Sequence, residues 1–203
     1  MRGAARFIVA IVAASSLTPA QAKTLAIAIN LVPSDVPGFG VTPLEQPAPG
    51  GGGCGSGASP EPALATGVSD AFTRTVGDDA EEVNSTVKVW PASSDARRVL
   101  ASLEGRRGHR CVMADSERGT PAGTTASLTR LAAAPEGGVG LRVALHVAGS
   151  TEYIDLLAFA QGPTDVMLSL VYEAKRPTAT LERQLMAELQ ARAATALAAP
   201  PAV

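Results

Sequence analysis

The sequence is poor in aromatic residues, in cysteine and in long apolar runs, and it has no excess of basic charge. Aromatic side chains make up 3% of the 203 residues, so an apolar core must consist mainly of Val, Leu, Ile and Ala. The formal net charge is −2 and no basic stripe occurs, which argues against nucleic-acid binding and against a polybasic membrane anchor. No apolar stretch, in the first residues or later in the sequence, reaches the length of a membrane span.

What is present suits one compact domain. Hydrophobic residues make up 46% of the chain, which is enough for a substantial core. Ala, Gly and Pro are abundant and Arg greatly outnumbers Lys, a bias typical of a GC-rich genome such as that of an actinobacterium. We expect a signal peptide over 1–22, a loop-rich segment over 23–66, a single domain over 67–198 and a tail over 199–203.

The first 22 residues have the three parts of a secretory signal peptide. Arg2 and Arg6 form a basic start, an apolar stretch follows, and Ala20-Gln21-Ala22 is an A-x-A cleavage pattern. The apolar stretch has about half the roughly 20 residues that a membrane anchor needs. We therefore expect cleavage between Ala22 and Lys23, with no lipid attachment, a net charge of −4 after cleavage, and secretion or another extracytoplasmic location.

Cys54 and Cys111 are the only two cysteines, so the chain can form at most one internal disulfide. An oxidising exterior favours the bond, and a loop of about 58 residues gives about 4 kcal/mol of stabilisation in the chain-entropy model. A free pair and a metal site are the alternatives. The metal site is disfavoured, because neither C-x-x-C nor H-x₃-H spacing is present.

Periodicity predicts an α+β fold with an antiparallel sheet of five to six strands covered by two helices. A first strand over Leu25–Leu31 is suggested by weak alternation. Segments that alternate more clearly or are richer in apolar residues predict further strands over 67–76, 83–90, 126–132, 139–148, 153–160 and 166–173. Helices are predicted from Ser93 or Ser94 to just before Gly105–Gly108, and from Pro177–Thr178 to Pro200, with a Pro/Gly-rich loop over 43–62.

Four sequence features resemble the PknH-like extracellular sensor domains of mycobacterial receptor-type Ser/Thr kinases and related PsbP-like secreted proteins. They are the motif Asp35-Val36-Pro37-Gly38-Phe39, a cysteine soon after it, the segment 87–103 followed by Cys111, and the segment Tyr153–Gly162. The resemblance implies a ligand-sensing or binding role outside the membrane, with no catalytic residues to carry over. The kinase domains have two disulfides, whereas this chain has cysteines for one.

No catalytic, cofactor-binding or metal-binding constellation outweighs its structural interpretation. His109 next to Cys111 would allow a nucleophilic pair, but oxidation of Cys111 would remove the thiol. Two groups remain as candidate interaction sites. One is the loop that contains Asp35, Pro37, Gly38 and Phe39; the other is a cationic patch of Arg106, Arg107 and Arg110, which suits either an anion or the C-terminal dipole of a helix.

We therefore predict a secreted, non-catalytic ligand-binding or sensor-like module for an unknown small ligand. Its pocket would lie on the exposed sheet face or in the Asp35–Phe39 loop. Two alternatives stay open: a structural or interaction protein of the cell envelope that docks through its Pro/Gly-rich head, and a hydrolase whose site has no recognisable motif.

Overall fold

The structure is a computed structural model that describes residues 17–46, 54–59, 61–77, 79–118, 120–132, 134–173 and 179–198. Most of the predicted signal peptide, the glycine run at 50–53, the predicted start of the last helix at Pro177–Thr178 and the tail lie outside these residues. The helices are α1 (Pro19–Ile29), α2 (Ser93–Leu103), α3 (Arg106–Ser116) and α4 (Ala179–Ala198). The strands are β1 (Gly40–Thr42), β2 (Ala65–Val68), β3 (Ala71–Val76), β4 (Asp79–Val89), β5 (Thr125–Arg130), β6 (Val139–Val147), β7 (Ser150–Gln161) and β8 (Thr164–Tyr172).

The strands form one antiparallel sheet in the order β1-β3-β4-β8-β7-β6-β5, and β2 pairs with β4 beside β3. Strands β6, β7 and β8 form a meander, as the alternation of the sequence predicts. The turn between β7 and β8 contains Gly162 at a φ of +55°, a conformation that favours glycine. The long strand β4 joins this meander to the N-terminal strands.

Helices α1 and α4 cover one face of the sheet, which we call the closed face. Its core contains β4 and β8 side chains such as Val87 and Leu168, both fully buried, packed against Leu25 of α1 and Leu185 of α4. Because β-branched and aliphatic side chains alternate with polar ones along these strands, one face becomes continuously apolar. The core of the closed face therefore consists mainly of aliphatic side chains, as the scarcity of aromatic residues requires.

Helices α2 and α3 pack on the other face, which we call the cleft face. Helix α2 contacts β6, β7 and β8, and α3 contacts β5 and β6. The two helices approach each other closely at Gly108, where a Cβ atom would lie 2.3 Å from the carbonyl oxygen of Ser102. Only glycine allows this approach without displacing α2, so Gly108 sets the position of α3.

The α+β class and the antiparallel sheet are confirmed, but the sheet is larger than predicted. The described residues form eight strands and four helices, against the predicted five to six strands and two helices. The first strand over Leu25–Leu31 is wrong, because Leu25 to Ile29 belong to α1. Gly105–Gly108 does follow the end of α2, but Arg106 begins α3, so Gly108 lies inside a helix.

A buried ionic cluster lies between β6, β7 and β8. Arg142 forms two hydrogen bonds to Asp155, at 2.6 and 2.5 Å, and the hydroxyl of Tyr172 donates to the same carboxylate at 3.2 Å. The Tyr153 ring stacks on Tyr172 with 5.4 Å between ring centroids. Asp155 is fully buried, and its hydrogen bond to Arg142 raises the pKa of the guanidinium further. The cluster fixes the register of the meander by pairing groups that are costly to bury alone.

Candidate ligand-binding cleft

A cleft of about 400 Å³ lies between the cleft face of the sheet and helices α2 and α3. Its floor is formed by β2, β4, β8, β7 and β6, and its roof by Val99, Leu100 and Leu103 of α2 with Val112 of α3. Cys54 also contributes to the roof. A volume of this size is within the range of small-molecule sites in proteins.

Strand pairing makes the cleft floor polar on one side and apolar on the other. Thr66 of β2 pairs with Lys88 of β4, and Lys88 pairs with Asp165 of β8. Two rows further along the same face, Asn84 pairs with Ser169, which is opposite Leu156. Because paired residues of an antiparallel sheet share a face, polarity falls from β2 and β4 towards β7 and β6. The floor is therefore amphipathic across the strands.

The indole of Trp90 is hydrogen-bonded to Asp165, which lines the cleft. Trp90 is almost fully buried among Ala63, Ala96 and Val99, and its Nε1–H donates to Oδ2 of Asp165 at 2.5 Å. Burial raises the pKa of Asp165 to about 6, and the opposing effects of Lys88 and of the Trp90 hydrogen bond are smaller. The cleft thus contains a carboxyl group that titrates just below neutral pH.

The disulfide attaches the roof of the cleft to the segment before β2. Cys54 and Cys111 form the predicted bond, with their Cα atoms 5.5 Å apart. Gly55 follows at a φ of +90°, and a Cβ atom there would lie 2.9 Å from Oγ of Ser102. The chain around Cys54 therefore sits close against α2 while it is bonded to α3. With Cys111 in the disulfide, no thiol is available for a Cys111–His109 nucleophilic pair.

The predicted interaction loop does not line the cleft. Asp35 is buried, accepts a 2.8 Å hydrogen bond from the Val32 amide and forms an ion pair with Arg192 of α4. Phe39 is half-buried, with the Arg74 guanidinium 4.5 Å above its ring. Pro37 and Gly38 are exposed in the turn between them, where Gly38 has a φ of +87°. The structure gives both residues internal contacts, Asp35 with Arg192 of α4 and Phe39 with Arg74 of β3.

The predicted cationic patch is exposed and lies at the start of α3. Arg106 and Arg107 occupy the first turn and Arg110 the next. The same arginines directly follow the C-terminal end of α2 at Leu103, where cations complement a helix dipole, so the choice between an anion and this dipole stays a prediction. Of the three, only Arg107 borders a second hollow of about 280 Å³, formed with Gly55, Gly57 and Cys111.

The predicted cleavage junction lies inside α1. Thr18 caps this helix, and its side chain and that of Gln21 form a reciprocal capping box. Ala22 is fully buried in the closed face, whereas Lys23 is exposed. Cleavage between Ala22 and Lys23 would remove the cap and one core side chain. Residues 1–16 lie outside the described part of the chain.

The cleft residues that matter most were not singled out from the sequence. Lys88 belongs to a predicted strand, whereas Asp165 lies just before the predicted strand 166–173. Their pairing depends on the register between β4 and β8, and the two residues are 77 positions apart in the chain. The signal available in the sequence was Lys88 itself, a charged residue on a strand face that otherwise carries little charge. In the described ranges no group of three or more His, Cys, Asp or Glu side chains is placed to hold a metal ion. The helices in those ranges are too short or too polar to cross a bilayer.

Comparisons with known proteins give a structural likeness only. No protein-family model and no curated protein matches the chain. Among solved structures, the chain is similar to the extracellular domain of PknH from Mycobacterium tuberculosis, at 12% identity and a TM-score of 0.43. The match covers 89% of this chain and 98% of that domain. A likeness of this degree carries no functional argument, so we base the function on the cleft itself.

Proposed function

We propose that this protein is an extracytoplasmic, non-catalytic module that binds a small ligand in the cleft between the sheet and helices α2 and α3. The observation that carries the proposal is the cleft itself, a preformed hollow of about 400 Å³ with an amphipathic floor. Small-molecule sites are typically concave, mostly apolar and provided with a few fixed polar groups. Lys88, Asp165 and Ser169 are such groups here, and α2 supplies apolar contacts.

The way in which the roof is held supports the interpretation of the hollow as a binding site and not as a packing defect. Close contacts at Gly55 and Gly108 and the disulfide hold α2 and α3 in place beside the hollow. A hollow left by poor packing would tend to collapse, because interiors pack densely. A roof attached at these points keeps the cleft open in the absence of a ligand, which lowers the cost of ordering the site on binding.

A pair of matched variants tests the proposal. Thr86 lies on β4 within the cleft, and Thr129 is exposed on β5 outside it. Thr86→Phe should fill the cleft, whereas Thr129→Phe adds the same ring elsewhere on a strand. We expect native mass spectrometry and thermal-shift screening to detect a bound small molecule on the full chain and on Thr129→Phe, and its loss on Thr86→Phe. Binding that survives in Thr86→Phe would refute the assignment to this cleft.

The non-catalytic part of the proposal has its own readout. A ligand identified in this way should be recovered chemically unchanged after prolonged incubation with the protein. Conversion into a product, abolished in Thr86→Phe but not in Thr129→Phe, would instead make the cleft an active site.

The extracytoplasmic location is supported by the disulfide and by the signal-peptide pattern of residues 1–22. Disulfides form and persist in oxidising compartments. The mass of the protein recovered from outside the cells of its host should correspond to a chain that begins at Lys23 and lacks two hydrogens. A reduced, uncleaved chain would contradict the location.

A further inference from the structure

We infer that the ligand of the cleft is a small amphipathic anion, with its acidic group beside Lys88 and its apolar part along β7, β6 and α2. This inference rests on the proposed binding function and specifies the chemical class of the ligand. It follows from the position of one cation, from the chemistry of the opposite wall and from the charges that face the cleft.

In the described part of the chain, Lys88 is the only Lys or Arg side chain that lines the cleft. It is half-buried on β4, and among the described residues it has no ion-pair partner. Asp165 is directly opposite in the strand pairing, but its Oδ2 atom accepts the indole N–H of Trp90. A partly desolvated ammonium group that is not engaged in an ion pair favours an incoming anion.

The wall away from Lys88 is apolar. Leu156 of β7 and Leu141 of β6 pair in register on the floor, and Leu100 and Leu103 of α2 face them from the roof. A purely ionic ligand would leave these surfaces in contact with water. A ligand with an apolar part buries them, which is favourable by about 25 cal/mol per Å².

Other charges that face the cleft are compensated or titrate. Asp115 of α3 forms an ion pair with Arg118 at 2.9 Å. Of the described residues that line the cleft, Asp165 is therefore the remaining charge that acts on an anion beside Lys88, and Thr66 from β2 is uncharged. As Asp165 loses its proton, it places a negative charge opposite Lys88. Anion binding should accordingly weaken as the pH rises through about 6.

Three probes that share an eight-carbon alkyl chain but differ in head group test the ligand class below their aggregation concentrations. They are octane-1-sulfonate, octan-1-ol and octyltrimethylammonium, titrated into the full chain and followed by the fluorescence of Trp90, the only tryptophan. The sulfonate stays ionised from pH 5 to pH 8, so any pH effect belongs to the protein. We expect the sulfonate to bind about tenfold more tightly than the alcohol, and the cation to bind most weakly.

Lys88→Gln should weaken sulfonate binding about tenfold and leave octan-1-ol unchanged, and Lys88→Arg should restore most of the affinity. Arg97→Gln is the matched control, since Arg97 is exposed on α2 and does not line the cleft. Asp165→Asn should remove the loss of affinity between pH 5 and pH 8.

The outcomes separate the two proposals. If the alcohol binds and Thr86→Phe abolishes its binding, but the sulfonate binds no better and Lys88→Gln has no effect, the ligand class is wrong while the binding cleft stands. Preference for octyltrimethylammonium would likewise overturn the anion assignment alone. If none of the probes binds, this inference is refuted. The proposed function is judged separately, by the screen and its Thr86→Phe variant.

Discussion

The two faces of the sheet are covered in different ways. On the closed face, α1 and α4 pack over β4, β7 and β8, and the strand side chains beneath them are fully buried. On the cleft face, α2 and α3 pack towards β5, β6, β7 and β8, and the side chains of β2 and β4 remain half-buried. The same alternating strands thus supply an aliphatic core on one side and polar groups on the other.

The difference shows how one sheet serves stability and binding separately. Leu168 on β8 is fully buried in the closed face, whereas its neighbour Met167 points into the cleft. Packing on the closed face contributes most of the burial, so the cleft face can keep a hollow without unfolding the domain. The roof of that hollow depends instead on local attachments, of which the disulfide is the strongest.

Loss of the disulfide should have the largest effect, and it should fall on the cleft face. Replacing Cys54 and Cys111 by Ser should reduce the free energy of unfolding by about 4 kcal/mol, because the unfolded chain regains the freedom of a long loop. Urea unfolding measures the loss, and hydrogen exchange should show faster opening of α2 and α3 than of α1 and α4. Reduced wild-type protein is the control. Equal loosening of both helix pairs would contradict the division between the faces.

Truncation of a strand side chain should cost more on the closed face than on the cleft face. Leu168→Ala should destabilise the protein by about 3–4 kcal/mol, because it leaves a cavity in a dense core. Met167→Ala, at the adjacent position, should cost about 1 kcal/mol, since the cleft is already hollow there. Chemical denaturation of both variants checks the ratio. Similar costs would show that the cleft face is packed as tightly as the closed face.

The sequence was most informative where burial alternates along a strand. Val83 to Val89 repeats apolar and polar residues, so β4 was predicted, and the structure buries Val83, Val87 and Val89. It was misleading in α1, where Ala22, Leu25, Ala26 and Ile29 are buried at helical spacing. Because cleavage was predicted after Ala22, the first turn of α1 was assigned to the signal peptide. The residues that follow it alternate weakly between apolar and polar, which favoured a strand.

Predictions from sequence failed differently at α3 and at the cleft. Gly105 and Gly108 were interpreted as helix breakers, but Gly108 is needed for the close approach of α2 and α3. The cleft depends on strand register and on helix placement, which bring Lys88, Asp165 and Leu103 together from distant parts of the chain. Local periodicity contains no information about such pairings.

Asp165, on the cleft face, should make the free energy of unfolding of the protein depend on pH. Its pKa is raised from the ordinary 3.8 to about 6, so the native state takes up a proton before the unfolded chain does. This group therefore adds stability as the pH falls from about 7 to about 4, by about 3 kcal/mol in total. Relative to Asp165→Asn, which keeps an acceptor for Trp90, the wild type should gain that amount over this range.

Urea unfolding of the wild type and Asp165→Asn at several pH values isolates the contribution, because all other titrating groups cancel in the difference. A difference that stays constant from pH 4 to pH 7 would show that Asp165 ionises normally and that its surroundings in the cleft are hydrated.

The smallest expected effect concerns a hydroxyl in the wall of the cleft. Oγ1 of Thr66 is buried and has no hydrogen-bond partner among the described residues. Thr66→Val keeps the shape and the preference for a strand while it removes this unsatisfied group, so we expect a gain of about 1 kcal/mol in unfolding free energy. Thr125→Val, on the exposed edge strand β5, is the matched control and should change stability little. A loss of stability in Thr66→Val alone would mean that water hydrates this hydroxyl, and that the polar wall is solvated along with Lys88.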